Sequence, residues 1–101
     1  MRNCKIYSID EIKRRFRKVA RKYEINEAYV FGSYARGDAT DKSDVDILIK
    51  ADKIKDLFQL GGFYVDAKEA FKKEVDVVTT EALLKKRFED EMKKDLVKIY
   101  G

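Results

Sequence analysis

Hydrophobic and polar positions first follow a helical period. Ser8 and Glu11 form the capping box S-x-x-E, which is typical of a helix start. The hydrophobic residues that recur at helical spacing after it are Ile9, Ile12, Phe16, Val19, Ala20 and Tyr23. The basic residues between them are Lys13, Arg14, Arg17, Lys18 and Arg21. The pattern predicts a helix with a solvated basic outer face; a contact of this face with RNA or an acidic partner is the less favoured alternative.

Two segments with the period of a β-strand follow. The apolar run 28–31 predicts a buried strand that ends at Gly32-Ser33, and the polar residues 36–43 predict a loop or a short helical turn. In the segment 44–50 the side chains alternate between two faces. One face carries Val45, Ile47 and Ile49, and the other carries Asp44, Asp46 and Leu48.

The C-terminal half continues the alternation of helices and strands. A second helix is predicted from Lys53 to Phe71, and Gly61-Gly62 in its middle predicts a weak point where it can kink or break. Its predicted buried stripe is Ile54, Leu57, Phe58, Tyr64, Ala67 and Phe71. A third strand spans 74–78, with Glu74 and Asp76 on the face opposite Val75 and Val77. A final helix, capped by Thr79 or Thr80, is predicted through Leu84, Phe88 and Met92, and 96–100 is predicted as an edge strand.

Length and composition exclude several classes of enzyme. The 101 residues suffice for one domain, 1–101, so any substrate cleft is shallow or is completed by a second protein. The absence of histidine excludes Ser-His-Asp and Cys-His catalysis and imidazole-dependent zinc sites. Cys4 is the only cysteine, and no apolar run can span a bilayer, which together predict a soluble, cytoplasmic protein. The net charge of +4 is too small to favour direct nucleic-acid binding.

The acidic face carries the strongest indication of chemistry. Asp44 and Asp46 project to the same side of one strand, and Asp76 can join them from a neighbouring strand. Three such carboxylates repel one another, and hard divalent cations are the usual compensation. Oxygen ligands without nitrogen or sulfur favour Mg²⁺, with Mn²⁺ as an alternative, and two such ions can support an in-line nucleotidyl transfer.

Gly32-Ser33 offers a matching site for phosphate. Glycine allows a phosphate to approach the backbone, serine adds a hydroxyl donor, and a helical turn starting at Ser33 would present free N–H groups. Arg36 can neutralise phosphate charge or pair with Asp38. The stretch 32–38 lacks the lysine and Ser/Thr of a P-loop, and 38–49 lacks the glycine and closing glutamate of a calcium hand.

Together, residues 30–38 (VFGSYARGD), 43–49 (SDVDILI) and 74–79 (EVDVVT) resemble the DNA polymerase β-like nucleotidyltransferase superfamily, and most closely the MntA-like minimal nucleotidyltransferases. The resemblance implies an α/β (α+β) fold with a small mixed sheet backed by helices on one face. It implies that Asp44 and Asp46 bind both metal ions, and that Asp76 binds the catalytic ion and helps to deprotonate the acceptor. It also implies that Gly32 and Ser33 hold the triphosphate of ATP.

The same resemblance implies a partner. Such proteins often pair with a small helical HEPN-type toxin, and the nucleotidyltransferase acts as antitoxin by transferring AMP to a tyrosine of the toxin. Two alternatives stay open: neutralisation of the partner by occlusion without catalysis, and a subunit of a small-molecule nucleotidyltransferase. Exposed aromatic side chains, with Tyr34 and Phe63 as the candidates, would favour a hetero-oligomer.

Overall fold

A computed structural model of the protein describes residues 6–79 and 95–101. Cys4 and the predicted final helix through Leu84, Phe88 and Met92 lie outside these residues. In chain order the elements are α1 (Ile9–Lys22), β1 (Glu27–Phe31), α2 (Ser33–Arg36), β2 (Val45–Lys50), α3 (Leu57–Phe71), β3 (Val75–Thr79) and β4 (Val97–Tyr100).

Helix α1 forms as its sequence predicts. The Ser8 Oγ accepts a hydrogen bond from the Glu11 N–H at 3.1 Å, which satisfies one of the free donors of the first turn. Four of the six predicted core residues are buried: Ile12, Phe16, Val19 and Ala20. Ile9 and Tyr23 pack at the margin of the core. The five basic residues of the outer face are all exposed, which confirms the predicted solvated surface.

The strands form one mixed sheet in the order β3-β2-β1-β4. Strand β2 runs antiparallel to β1 and parallel to β3, while β4 pairs antiparallel with β1 at the edge. The prediction of an edge strand near the end of the chain is therefore confirmed. The register places each residue of β2 from Val45 to Ile49 beside the equivalent residue of β3, starting with Val45 beside Val75.

Helices α1 and α3 cover one face of this sheet. Apolar residues of β1 and β2, among them Val30, Ile47 and Ile49, belong to the same buried cluster as the inner faces of both helices. The Phe16 and Phe63 rings meet edge to face at 5.9 Å between centroids and join the two helices. The predicted fold, a mixed sheet backed by helices on one face, is confirmed, and Asp46 and Asp76 lie on the opposite face together with the buried Leu48.

The predicted start and stripe of α3 were partly wrong. The helix begins at Leu57, after Asp56 caps it by accepting the Gln59 N–H at 2.8 Å. Leu57 and Phe58 are 84% and 92% exposed, because they lie six and five positions before the buried Phe63, about 120° and 140° from it around the helix. The buried residues of this helix are Phe63, Ala67 and Phe71.

Both aromatic residues predicted to be exposed are buried. Tyr34 is 5% exposed and Phe63 is fully buried, because both belong to the main core cluster. Helix α3 continues through both glycines, so the helix does not break at Gly61-Gly62. A Cβ at Gly62 would lie 3.0 Å from the Tyr23 Oη, so this glycine allows the two helices to approach closely.

Among the residues that the structure describes, no helix combines the length and the apolar character that crossing a lipid bilayer requires.

Candidate active site

Two of the predicted site residues are direct neighbours in the sheet. Asp46 and Asp76 are register partners in the parallel pair of β2 and β3, where strands lie about 4.8 Å apart. Asp44 stands one residue before β2 begins. The strand periodicity had predicted this gathering, and it arises because Val45, Ile47 and Val75 point into the core and force the aspartates to the other face.

The charge of Asp46 is unfavourable in the isolated chain. Burial first, and then the negative charges of Asp76 and Asp44, raise the pKa of Asp46 to about 6, while the Arg36 guanidinium acts in the opposite direction. Asp44 and Asp76 are both exposed. A half-buried carboxylate that faces two others favours binding of a cation where strands β2 and β3 begin. This end of the two strands is called the sheet edge.

Gly32 lies against this carboxylate. Phe31, the last residue of β1, is the register partner of Asp46, so the next residue passes directly beside the Asp46 side chain. A Cβ built on Gly32 would stand 2.4 Å from the Asp46 Oδ2, and Gly32 has a φ of +72°, a conformation that side chains disfavour. Only glycine fits here without displacing the carboxylate.

The chain turns into α2 immediately after Gly32. The helical turn starts at Ser33, as the sequence predicts, and its first internal hydrogen bond is donated by the Arg36 N–H to the Gly32 carbonyl at 3.0 Å. The N–H groups before Arg36 therefore precede the first backbone bond of the turn. They lie on the chain segment that borders Asp46, which places potential phosphate donors next to the carboxylates.

Arg36 is held by two acidic side chains. Its Nε lies 3.3 Å from the Asp38 carboxylate and its Nη1 lies 3.8 Å from that of Asp95, and the side chain is 49% exposed. The predicted pairing with Asp38 is therefore present. The sequence did not indicate Asp95, because the residues between 36 and 95 give no signal for this contact.

Lys73 is a second residue that the sequence did not indicate. It follows α3 in a polar turn, where a lysine side chain is ordinarily expected to be solvated. Its Nζ nevertheless donates to the Tyr34 Oη at 2.9 Å. Tyr34 itself follows Ser33 in α2. Such a contact depends on the tertiary fold and has no signature in the spacing of residues.

The oxygen donors of Asp44, Asp46 and Asp76 suit Mg²⁺ or Mn²⁺ in their chemistry, and the raised pKa of Asp46 shows that their charges interact. As the side chains stand in residues 6–79 and 95–101, no three carboxylates converge closely enough to enclose an ion. Exposed Asp44 and Asp76 can change rotamer without disturbing the core. The residues present therefore fit a divalent cation by donor type and by charge.

Comparison with known proteins supplies the family. The family described as "Polymerase beta, Nucleotidyltransferase" matches residues 12–101, which include every predicted site residue. The chain belongs to this nucleotidyltransferase family. A relative from Methanocaldococcus jannaschii, named "Putative protein adenylyltransferase MJ0435", is 39% identical over 72 residues, which are 71% of this chain and 77% of that protein.

Solved structures of minimal nucleotidyltransferases share the fold of this family member. One, described as a toxin-antitoxin with AMP-PNP, matches with a TM-score of 0.73 at 21% identity, covering 88% of this chain and 73% of that chain. Another holds a tri-AMPylated HEPN toxin of Shewanella oneidensis in complex with its MNT antitoxin; its TM-score is 0.65 at 18% identity, covering 92% and 72%. The resemblance to MntA-like proteins inferred from residues 30–79 is confirmed.

Proposed function

We propose that this nucleotidyltransferase transfers AMP from ATP to a hydroxyl, preferably of a tyrosine, on a small helical HEPN-type partner and so acts as an antitoxin. The observation that carries the proposal is the pairing of Asp46 with Asp76 beside Gly32, at the edge of the sheet where α2 begins. The relative named as a protein adenylyltransferase and the neighbour with an AMPylated HEPN toxin support the nature of the reaction and of the partner.

The triphosphate would bind at the start of α2. Gly32 leaves the backbone open to a phosphate, and the Ser33 hydroxyl and the first N–H groups of the turn donate to its oxygens. Arg36, half exposed between Asp38 and Asp95, supplies positive charge nearby. The neighbour that contains AMP-PNP supports ATP as the nucleotide.

Asp44, Asp46 and Asp76 would hold Mg²⁺, two ions in the proposed arrangement, with Mn²⁺ as an alternative. When bound, these ions neutralise charge on the triphosphate. Asp44 and Asp46 would be ligands of both ions, and Asp76 would be a ligand of the catalytic ion; the charge of Asp46 interacts with both other aspartates.

In the transfer, the protein has to position the acceptor hydroxyl and to accept one proton from it. The acceptor hydroxyl oxygen forms a bond to the α-phosphorus, the bond between this phosphorus and the α–β bridging oxygen breaks, and pyrophosphate leaves. The exposed Asp76 carboxylate, at the sheet edge, accepts the hydroxyl proton. Placement of the acceptor in line with the bridging oxygen supplies the remaining rate enhancement.

The acceptor comes from another chain in this proposal. In the described part of the chain the Asp44 and Asp76 carboxylates are exposed and Asp46 is half-buried beside them, so a docked partner would complete the cleft in a hetero-oligomer. A single domain spanning 1–101 and a cytoplasmic location stay predictions.

The test is a labelling experiment with the tagged chain and the proteins that co-purify with it. The mixture is incubated with Mg²⁺ and ATP labelled either at the α-phosphate or at the γ-phosphate. We expect label from the α-phosphate, and none from the γ-phosphate, on tyrosine of a small protein. Label from the γ-phosphate would indicate phosphorylation and contradict the proposal. Label in a small molecule would indicate the small-molecule enzyme, and protection of the partner without any label would indicate occlusion.

A further inference from the structure

The short connection between α3 and β3 joins three parts of the candidate site. The Lys73 Nζ donates to the Tyr34 Oη at 2.9 Å and reaches the Asp41 carbonyl at 3.4 Å. One residue later, the Glu74 carbonyl accepts the Val45 N–H at 3.0 Å. A single segment of two residues therefore contacts α2, the loop 38–44 and the first residue of β2.

Each of these contacts lies next to a proposed site residue. Tyr34 directly follows Ser33 in the turn proposed to bind phosphate, and its ring is buried in the core. Asp41 lies in the loop that leads to Asp44, and Lys73 itself stands three residues before Asp76. The lysine thus links the segments that carry the phosphate turn and two of the three carboxylates.

Both linked segments need support from outside themselves. Helix α2 has four residues, too few to be stable alone. The loop 38–44 is largely exposed, and several of its hydrogen bonds are local, such as that from the Thr40 N–H to the Ser43 Oγ at 2.8 Å. A part-buried charged donor that reaches both segments at once restricts their movement relative to β3.

We propose that Lys73 is a positioning residue for the AMP transfer. Its ammonium group fixes the distance between the turn at Ser33, the loop before Asp44 and the start of β3, without touching the nucleotide. This inference rests on the proposed function. It assigns a role to a residue outside the motif, through bonds to Tyr34 and Asp41.

The central test compares Lys73→Met with Lys72→Met. The two lysines are adjacent, and the exposed Lys72 side chain makes no hydrogen bond or ion pair with the part of the chain that the structure describes, so Lys72→Met is a matched control. We expect Lys73→Met to lower kcat for AMP transfer about tenfold, because small displacements of reacting groups are costly, while KM for ATP changes less than about twofold. Lys73→Arg, which keeps a charged donor, should recover most of the rate.

A double-mutant cycle tests whether the lysine acts through Tyr34. Tyr34→Phe removes the acceptor hydroxyl but keeps the buried ring. If the bond between the two side chains carries the effect, the double variant Tyr34→Phe/Lys73→Met lowers kcat by a smaller factor than the product of the factors of the two single variants. Fully multiplicative effects would overturn the role of this bond.

Hydrogen exchange gives a readout that is independent of activity. We expect Lys73→Met, but not Lys72→Met, to accelerate exchange of amides in the range 37–44 while amides of β1 and β2 keep their protection. Equal exchange and equal kcat in the two variants would overturn the proposal, and so would a uniform loss of protection across the sheet. If the wild type transfers no AMP at all, the proposed function fails, and the exchange comparison still decides whether Lys73 restrains the loop.

Discussion

Asp46 and Asp66 carry the same side chain, but their surroundings move their pKa values in opposite directions. The Asp66 carboxylate accepts from the Lys22 Nζ at 2.9 Å and from the Tyr23 Oη at 2.7 Å, and these bonds, that of Lys22 foremost, lower its pKa. Burial, followed by the charges of Asp76 and Asp44, raises that of Asp46 to about 6. The Asp66 carboxylate joins α1 to α3, whereas the Asp46 carboxylate faces two other carboxylates.

The negative charge of Asp66 stabilises the fold, whereas the negative charge of Asp46 destabilises it. Ionised Asp66 forms bonds that exist only in the folded chain, so its charge stabilises it. Ionised Asp46 has lost water and gained repulsion, so its charge costs stability until a cation binds. A carboxylate retained under that cost, next to a glycine that no other residue can replace, indicates a function beyond folding.

The largest expected effect is on the rate of AMP transfer, which should depend on Asp46 and Asp76 but not on Asp66. Asp46→Asn or Asp76→Asn should lower the rate of AMP transfer at least about 100-fold, because each removes a charged oxygen at the proposed reaction centre. Asp66→Asn should change the rate less than about twofold. The rates are measured with ATP labelled at the α-phosphate and the purified partner. Similar losses in all three variants would show that the site does not reside at the sheet edge.

Two glycines sharpen the same comparison through stability. Gly32→Ala should destabilise the chain by about 2 kcal/mol or more, because its φ of +72° is strained for alanine and its Cβ would collide with the Asp46 carboxylate. Gly61→Ala, in the middle of α3 with open space around its Cβ position, should stabilise by up to about 1 kcal/mol. Urea unfolding measures both, and wild-type stability of Gly32→Ala would contradict the packing of Gly32 on Asp46.

The contributions of Asp46 and Asp66 to stability should change with pH in opposite directions. The folded chain holds the Asp46 proton more tightly than the unfolded chain, whose pKa is near 3.8. In chelator, the Asp46 contribution to stability therefore falls as the pH rises from about 4 to about 6, by roughly 1 kcal/mol after allowance for partial exposure. Asp66, with its lowered pKa, stabilises above 3.8 and loses that contribution as the pH falls through its folded value.

Unfolding curves of Asp46→Asn and Asp66→Asn, each recorded against wild type from well below pH 3.8 to above pH 6, measure the two contributions. Relative to wild type, Asp46→Asn should gain stability toward neutral pH and Asp66→Asn should lose it. Curves of the same sign for both variants would contradict the opposite electrostatic roles.

The smallest expected effect belongs to Tyr23. Tyr23→Phe removes one hydrogen bond to Asp66 but keeps the edge-to-face contact with Phe63 at 5.5 Å between centroids. We expect a loss of about 0.5–1 kcal/mol in thermal or urea unfolding and unchanged binding of ATP with Mg²⁺. Weakened nucleotide binding in this variant would show that the helix interface and the sheet edge are coupled.

The sequence was sufficient where side-chain alternation decides the outcome. On β2 and β3 the period of two residues sends valines and isoleucines into the core, so Asp46 and Asp76 had to share the other face once the strands paired. Gly32-Ser33 could be recognised because a glycine and a serine directly after an apolar strand suit the binding of a phosphate at the start of a helical turn.

The sequence was insufficient where the packing partner decides. In α3 the apolar residues allow more than one stripe, and only contact with Phe16 and Tyr23 selects Phe63 over Leu57 and Phe58. Tyr34 lies in a short segment without a hydrophobic period, and only the packing of α2 on the core buries it. Long-range contacts such as that of Lys73 leave no periodic signal.

Isothermal titration calorimetry tests the central claim, that the aspartates at the sheet edge form a metal-dependent nucleotide site, most directly. ATP is titrated into wild type, Asp46→Asn and Asp66→Asn, each with Mg²⁺ and again with chelator. We predict Mg²⁺-dependent binding to wild type and to Asp66→Asn, and at least about tenfold weaker binding to Asp46→Asn because a shared metal ligand is lost. Equal Mg²⁺-dependent affinity of wild type and Asp46→Asn would contradict the assignment of the site.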